Sequence, residues 1–269
     1  MREVEDLQKE VWQSDDRDVV PLNILAATRE VGAILLGAFD GPALVGFAYS
    51  FVGREDERLI HHSHMLAITP SHRNLNLGYR LKLAQRDRAL AQGIDRITWT
   101  FDPLQSLNAH FNFAKLGVIA DTYKVNFYGQ TTSGFLLQIG MGTDRLWVTW
   151  LLDSEHVLER LRKQDCGGVS AAELEGVPCL VRVTPKNTPQ LAPCTDVLSQ
   201  KYLAIEIPED INALQRAPKT WHPISGKTLK SVECPRHRSK DMRGAMSIVT
   251  TLPYFLLERF NLALLRDEF

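Results

Sequence analysis

The chain has 269 residues, of which 44% are hydrophobic and 23% charged, with a formal net charge of -1. This length suffices for one large or two smaller domains with buried cores, and the charge argues against nucleic-acid binding through a whole-surface positive field. No apolar run of about 20 residues indicates a membrane span, and the charged N-terminus does not resemble a signal peptide. No C-x-x-C pair occurs among the four cysteines, Cys166, Cys179, Cys194 and Cys234. We therefore expect a soluble, cytoplasmic protein with reduced thiols and no zinc site.

Apolar spacing predicts short helices and strands over the first half of the chain. Two helices come first, with Pro21 in the first turn of the second, and a strand hairpin follows. The next predicted elements are a strand, a long helix ended by Gly93, a strand, a helix ended by Gly117, and a strand. In chain order the predicted bounds are 3–13, 19–31, 34–40, 43–52, 59–69, 77–93, 96–101, 107–117 and 118–129.

Two of these elements carry a prediction about which side chains share a face. Strict alternation in the strand at 59–69 places His62, His64, Leu66 and Ile68 on one face. The long helix has a broad apolar face around Leu81, which predicts that the polar side chains opposite it are solvated. Those polar side chains are Lys82, Gln85 and Arg86.

The segment from Met65 to Gly78 predicts a binding site for a phosphate-bearing ligand. It has a buried strand, a turn opened by Pro70, a compact loop, and a helix that begins near Leu77. The first turn of a helix has unpaired N–H groups and a partial positive charge, so it can bind an anion without a dedicated basic side chain.

The second half predicts a small α+β unit. A strand at 144–152 is followed by a helix at 154–164 capped by Ser154. Two more strands are predicted at 179–184 and 202–208, a helix at 208–216, and helix-like spacing at 255–265. The polar and basic segment 225–244 is a charge run alone, and we expect no nucleic-acid partner. The predicted domains are 1–140 and 141–269.

The residues from Arg73 to Gly78, RNLNLG, resemble the pyrophosphate loop of the GCN5-related N-acetyltransferase (GNAT) superfamily, whose pattern is Arg/Gln-x-x-Gly-x-Gly/Ala. Asn76 stands where the first glycine is expected, and asparagine tolerates the left-handed backbone region better than other non-glycine residues. The run ITWTFDPLQSLNAHFNFAKLG is similar to the superfamily's next strand and helix. The resemblance covers about residues 3–155 and extends to a subgroup linked to amino-acid N-acylation.

This resemblance implies an α/β (α+β) fold, with a mixed, mostly antiparallel sheet and helices on both faces. It also implies acetyl-coenzyme A or another acyl-coenzyme A, such as succinyl-coenzyme A, as co-substrate of the domain at 1–140. The backbone groups of Leu66 and Ile68 would pair with pantetheine, with the Leu66 amide polarising the thioester carbonyl, and Asn108 would reach the pantetheine arm. The diphosphate would be held by Arg73, Asn74, Leu75, Asn76, Leu77, Gly78 and Tyr79.

Acyl transfer to an amine requires a base that takes a proton from the ammonium. The sequence offers His64, whose ordinary pKa suits this role, and Asp102 at the end of the next strand. Each residue could also have a purely structural role, His64 as a hydrogen-bonded core histidine and Asp102 as a turn aspartate before proline. The superfamily commonly has a tyrosine as general acid where this chain has Phe113. Tyr123 or Tyr128 would be its substitute, although strand aromatics are more often core residues.

The functional prediction is an acyl-coenzyme A dependent N-acyltransferase that acts on a small, amino-acid-like amine by direct attack in a ternary complex. The main alternative is a GNAT-like module that binds acyl-coenzyme A without turnover, and an interaction protein that uses its C-terminal half is the third. We expect a small-molecule amine as partner and no membrane partner, and the sequence leaves a homodimer open.

Overall fold

The structure is a computed structural model that describes residues 2–129, 143–163, 175–184, 189–191, 202–211, 246–251 and 254–259. The helices are α1 Arg2–Trp12, α2 Leu22–Glu30, α3 Leu77–Ala91, α4 Ser106–Ala109 and α5 Glu155–Arg162, with a 3-10 helix at Pro70–His72 and a π-helix at His110–Leu116. The strands are β1 Ile34–Asp40, β2 Ala43–Glu55, β3 Arg58–Ile68, β4 Arg96–Phe101, β5 Ile119–Lys124, β6 Arg145–Leu151, β7 Cys179–Val183, β8 Pro189–Leu191, β9 Tyr202–Glu206, β10 Met246–Thr251 and β11 Tyr254–Arg259.

These residues form two compact units. The first comprises the described residues 2–99 and 149–154, and the second comprises the other described residues, which start at Thr100. The predicted fold class, a mixed α/β fold with a mostly antiparallel sheet, is confirmed. No helix in the described part of the chain is both long and apolar enough to cross a membrane.

The first unit has the strand order β1-β2-β3-β4, with antiparallel pairs β1–β2 and β2–β3 and the parallel pair β3–β4. Its main apolar cluster lies between the sheet and the first two helices. The cluster contains Val4, Leu7, Leu25, Ala33, Phe47, Tyr49, Met65 and Ala67. Gln8, which is also buried, joins the connection between α1 and α2 to this core, because its side chain accepts from the Val20 amide and donates to the Val20 carbonyl.

A β-bulge in β3 corrects the predicted faces of this strand. The register with β2 passes from Tyr49–Met65 to Ser50–Ser63, so His64 is an extra residue with no partner in β2. Beyond the bulge Met65 packs in the apolar cluster with α1, while before it Ser63 contacts Lys82 of α3. Since an extra residue changes the alternation, the prediction that His62, His64, Leu66 and Ile68 share one face is wrong.

The predicted solvated face of α3 is also wrong for two of its three residues. Lys82 is 2% exposed and Gln85 is fully buried. The Lys82 ammonium donates to Ser63 Oγ at 2.7 Å and to Gln85 Oε1 at 3.2 Å, and it lies 3.8 Å from the centre of the Trp99 ring. Two acceptors and an aromatic face compensate for the lost water, which allows a lysine to be buried.

In the second unit the strand order is β5-β10-β11-β9-β7-β8, antiparallel except for the pair β7–β9. The predicted helix at 107–117 is a short α-helix continued by a π-helix, and Gly117 ends it with φ +71°, as expected of a left-handed cap. A side chain at Gly117 would be strained by that φ and crowded, because its Cβ would lie 3.0 Å from Arg160 Cγ.

The second half differs from its prediction at several points. The helix-like spacing predicted at 255–265 is wrong over residues 255–259, which belong to β11 and pair with both β10 and β9. Main-chain pairing on both sides of β11 therefore overrides the local helical pattern. Residues 260–265 lie outside the described residues. The strand predicted at 118–129 ends at Lys124, while β6, α5, β7 and β9 lie where strands and a helix were predicted. The basic segment 225–244 and most of the helix predicted at 208–216 lie outside the described residues.

Candidate functional site

The loop between β3 and α3 has the backbone geometry of an anion site. Thr69 ends the strand by donating its amide to the Val45 carbonyl, and His72 fixes the short 3-10 turn through its contact with Thr69 Oγ1 at 2.9 Å. Asn74 and Asn76 both have left-handed backbone, with φ of +66° and +59°. Asn76 directly precedes α3 and makes no side-chain capping bond, so the first turn of the helix has no side-chain acceptor from its N-cap residue.

Gly78 leaves room for a ligand at this first turn. A Cβ at this position would meet only Leu66 Cδ2 at 3.8 Å, which is an ordinary contact, so packing within the protein does not require a glycine here. The residues from Arg73 to Asn76 are exposed. Open space, a helix start without a side-chain cap and the exposed Arg73 in the same loop fit the diphosphate of coenzyme A. The residues Leu77 to Tyr79 form the first turn itself.

The edge of β3 beside β4 offers main-chain groups to an extended ligand. The parallel pairing of the two strands comprises His61–Ile97 and His62–Thr98. Because the Thr69 amide points to β2, alternation directs the backbone groups of Leu66 and Ile68 toward the opposite edge, beyond the end of the β4 pairing. This is the position that a pantetheine arm would need for strand-like hydrogen bonds.

His64, at the bulge, lies against Tyr49 and Phe51, with ring-centre distances of 6.5 and 6.0 Å. Part of its side chain is exposed to solvent, and no described residue forms a hydrogen bond with it. Partial burial against these rings lowers the pKa of His64 below its ordinary value of 6.5. The imidazole is therefore neutral near pH 7 and has a nitrogen lone pair available to accept a proton.

A cavity of about 350 Å³ lies beside His64 in the first unit, between α2 and β2. Apart from His64, its walls are apolar except for the hydroxyl groups of Thr28 and Tyr49. The lining residues are Val20, Ile24, Thr28, Val31, Tyr49, Phe51, Val52 and His64. Its volume is within the range of small-molecule sites.

The other two histidines of β3 have structural partners. His62 Nδ1 lies 3.0 Å from Thr98 Oγ1, and burial, followed by the nearby His64 and Lys82, lowers the pKa of His62 to about 4. His61 is buried between Ser50 Oγ and Gln92 Oε1, at 3.2 and 2.6 Å. In the described part of the chain no three His, Cys, Asp or Glu side chains are grouped as metal ligands.

Asp102 and Asn108 belong to the second unit. Asp102 is buried, and its Oδ1 accepts from the Leu104 amide at 2.9 Å, which is the turn geometry typical of aspartate before proline. Asn108 is exposed on α4. Neither residue is in the unit that contains His64 and the loop.

The proposed general acids also lie in the second unit. Phe113 is buried and packs edge-on against Phe101, with ring centres 5.9 Å apart. Tyr123 donates to Asp144 Oδ2 at 2.7 Å. Burial, and to a smaller extent this hydrogen bond, raises the pKa of the phenol. Tyr128 is exposed, with its hydroxyl 3.4 Å from Thr100 Oγ1. The raised pKa and the bond to Asp144 make Tyr123 a poor proton donor.

Sequence reasoning missed the cavity and the buried Lys82. Thr28 and Val31 come from α2 and its end, while Tyr49 and Phe51 come from β2, so their meeting depends on tertiary packing. The only local signal for Lys82 is its position between Leu81 and Leu83, on a helix whose apolar face is broad.

Residues 1–118 match the model of the acetyltransferase (GNAT) family. Among solved structures, the chain is similar to aminoglycoside 6'-acetyltransferase type Ii, at 18% identity and a TM-score of 0.45, covering 57% of this chain and 90% of the other. It is also similar to the ribosomal-protein-S18-alanine N-acetyltransferase from Escherichia coli, at 12% identity and a TM-score of 0.44, covering 57% and 88%. A third similar structure is aminoglycoside 6'-N-acetyltransferase complexed with coenzyme A, at 17% identity and a TM-score of 0.41, covering 57% and 91%. No curated protein sequence matches the chain.

Residues 1–118 are therefore a GNAT acetyltransferase domain. Over these residues, and not over the rest of the chain, the match confirms the predicted GNAT family, a class of acetyltransferases that use acetyl-coenzyme A. It ends at Val118, within the span of about 3–155 that the sequence resemblance suggested.

Proposed function

We propose that this protein is an acyl-coenzyme A dependent N-acyltransferase that acts on a small primary amine by direct attack in a ternary complex. The observation that carries the proposal is the position of His64. It occupies the bulge of β3, lines the cavity, and belongs to the same strand whose Leu66 and Ile68 backbone groups face the open edge. One strand thus offers a proton acceptor, an acceptor cavity and main-chain groups for the acyl donor.

The loop would hold the donor through the backbone of Arg73 to Tyr79, with the diphosphate at the start of α3. The Leu66 amide would then polarise the thioester carbonyl, whose oxygen gains negative charge during attack. Fixing both substrates against β3 removes much of the entropic cost of their meeting. Among the residues of the first unit, the cofactor role therefore depends on backbone geometry rather than on side-chain identity.

His64 would take one proton from the ammonium of the acceptor, and the neutral amine nitrogen would attack the acyl carbon. A C–N bond forms, the C–S bond breaks, and the products are an amide and the coenzyme A thiol. The thiolate takes up one of the two protons that the nitrogen loses, through water or by way of His64. Because Phe113 has no proton to give, water and His64 are the two routes for this proton.

The test is a comparison of wild type, His64→Ala and the control His156→Ala, in which an exposed histidine of α5 is replaced. Thiol release from acetyl- and succinyl-coenzyme A is measured with a panel of amines, and coenzyme A affinity is measured by calorimetry. We expect His64→Ala to lower kcat by about 100-fold or more with an affinity close to wild type, because general base catalysis contributes about that much. An unchanged rate in His64→Ala would remove His64 from the mechanism. Donor binding without thiol release across the panel would favour a binding module without turnover.

A further inference from the structure

The cavity beside His64 has few polar groups, and their hydrogen bonds define what it can accept. Thr28 donates its hydroxyl hydrogen to the Ile24 carbonyl at 2.7 Å. The 2.8 Å contact between Thr28 Oγ1 and Tyr49 Oη is therefore donated by the tyrosine, since the threonine hydrogen is already used. Tyr49 Oη then retains a lone pair. The cavity offers two acceptors, this oxygen and the unprotonated ring nitrogen of the neutral His64, whose other ring nitrogen carries an N–H donor.

The remaining walls are apolar, and part of this apolar surface is exposed. Val31 is 77% exposed and Ile24 is 46% exposed, and both line the cavity, as do Val20, Phe51 and Val52. The lining has no lysine, arginine or carboxylate. A ligand with an apolar body would cover these side chains and gain free energy from their removal from water.

We propose that this cavity takes the acyl acceptor, and that the acceptor is a primary amine on an aromatic or branched aliphatic body, with no carboxylate beside the amine. This inference rests on the proposed function and specifies its substrate class. The two acceptors bind the N–H groups of the amine, while the apolar walls bind its body. An α-carboxylate in this cavity would lose part of its water and meet no lysine or arginine of the lining, so it would be bound less well than a hydrogen atom at that position. A free amino acid is therefore disfavoured.

A matched pair of probes tests this substrate class. 2-Phenylethylamine and L-phenylalanine share the same body and amine and differ in the carboxylate. We expect the full-length protein to bind 2-phenylethylamine at least about tenfold more tightly in calorimetry, and kcat/KM for thiol release from acetyl-coenzyme A to follow the same order. Equal or stronger binding of phenylalanine, or no binding of either probe, would overturn the inference.

A charge placed at the cavity mouth provides a second test. Val31→Arg supplies a cation that can pair with the carboxylate of L-phenylalanine, so it should lower the preference for 2-phenylethylamine by about tenfold. Leu59→Arg is the matched control, because Leu59 is 60% exposed, apolar and not part of the cavity. The same loss of preference in both variants would contradict the assignment. The assignment would also be contradicted if wild type sedimented as a dimer that Val31→Arg dissociates and Leu59→Arg does not.

The two proposals fail in distinguishable ways. If 2-phenylethylamine binds with the expected preference and no acyl-coenzyme A releases thiol, the cavity assignment is supported and the catalytic proposal is contradicted. If thiol is released with phenylalanine as readily as with 2-phenylethylamine, the proposed activity is supported and the proposed substrate class is contradicted.

Discussion

The buried Lys82 gives a quantitative prediction about stability. Burial lowers the pKa of its ammonium from 10.5 to about 7. An unfolded chain restores the ordinary pKa, so between about pH 7 and pH 10.5 the unfolded state binds more protons than the folded state. The free energy of unfolding must therefore rise with pH across this window, and the destabilisation is fully present below it.

The size of the effect follows from the shift. A difference of about 3.5 pKa units corresponds to about 5 kcal/mol at low pH, and about 3 kcal/mol of this is recovered between pH 6.5 and pH 9.5. The Trp99 ring favours the charged form by about 1 kcal/mol, which reduces the cost of burial. We therefore expect wild type to gain about 2 to 3 kcal/mol relative to Lys82→Met between these two pH values.

Urea unfolding at the two pH values measures this difference, with the fluorescence of Trp99 and Trp150 as a local probe, since both tryptophans are buried in the first unit. Lys82→Met also removes the bonds to Ser63 and Gln85, but that loss does not depend on pH. Arg88→Met, which removes an exposed cation from the same helix, should keep the wild-type slope. The same pH slope in wild type and Lys82→Met would refute the reasoning.

Three further predictions concern the site. Gly78→Glu should abolish coenzyme A binding in calorimetry with little change in the unfolding midpoint, because the Cβ meets only Leu66 at 3.8 Å; Gly78→Ala is the control that keeps the charge unchanged. Asn76→Ala should lower the free energy of unfolding by about 1 kcal/mol, because φ is +59° there, and Asn76→Gly should not. In a pH series, kcat/KM should fall on the acidic side with an inflection below 6.5, because the lowered pKa of His64 keeps the base neutral down to that range; an inflection above 7 would exclude it.

The elements of the first half were predictable because their signals are local. The hairpin of β1 and β2, the strand β3 and the start of α3 at Leu77 follow from periodicity and turn residues alone. The left-handed backbone expected of Asn76 also follows from residue type. The signals in the last part of the chain are weaker, and β11 is a strand because two neighbouring strands pair with it.

The candidate site was predictable only where it depends on backbone. The anion loop needs a strand end, a compact turn and a helix start, and all three leave a trace in the sequence. The cavity does not, because it joins side chains from α2, β2 and β3 that are far apart in the chain. The burial of Lys82 was missed because a lysine opposite the apolar face of a helix normally indicates solvent, and Ser63 and Trp99, which compensate for the lost water, come from β3 and β4.

The bulge at His64 connects the burial of Lys82 with the cavity. Strict alternation would leave Ser63 and Met65 on one face, so the hydroxyl that binds Lys82 would compete for the space of the apolar cluster. One extra residue resolves this conflict, since Ser63 then faces α3 while Met65 and Ala67 face α1. The same extra residue has no partner in β2, and its imidazole lines the cavity. The irregularity that separates a buried lysine from the apolar core thus also gives the strand its candidate base, and deletion of His64 should damage folding as well as turnover, whereas His64→Ala should affect turnover alone.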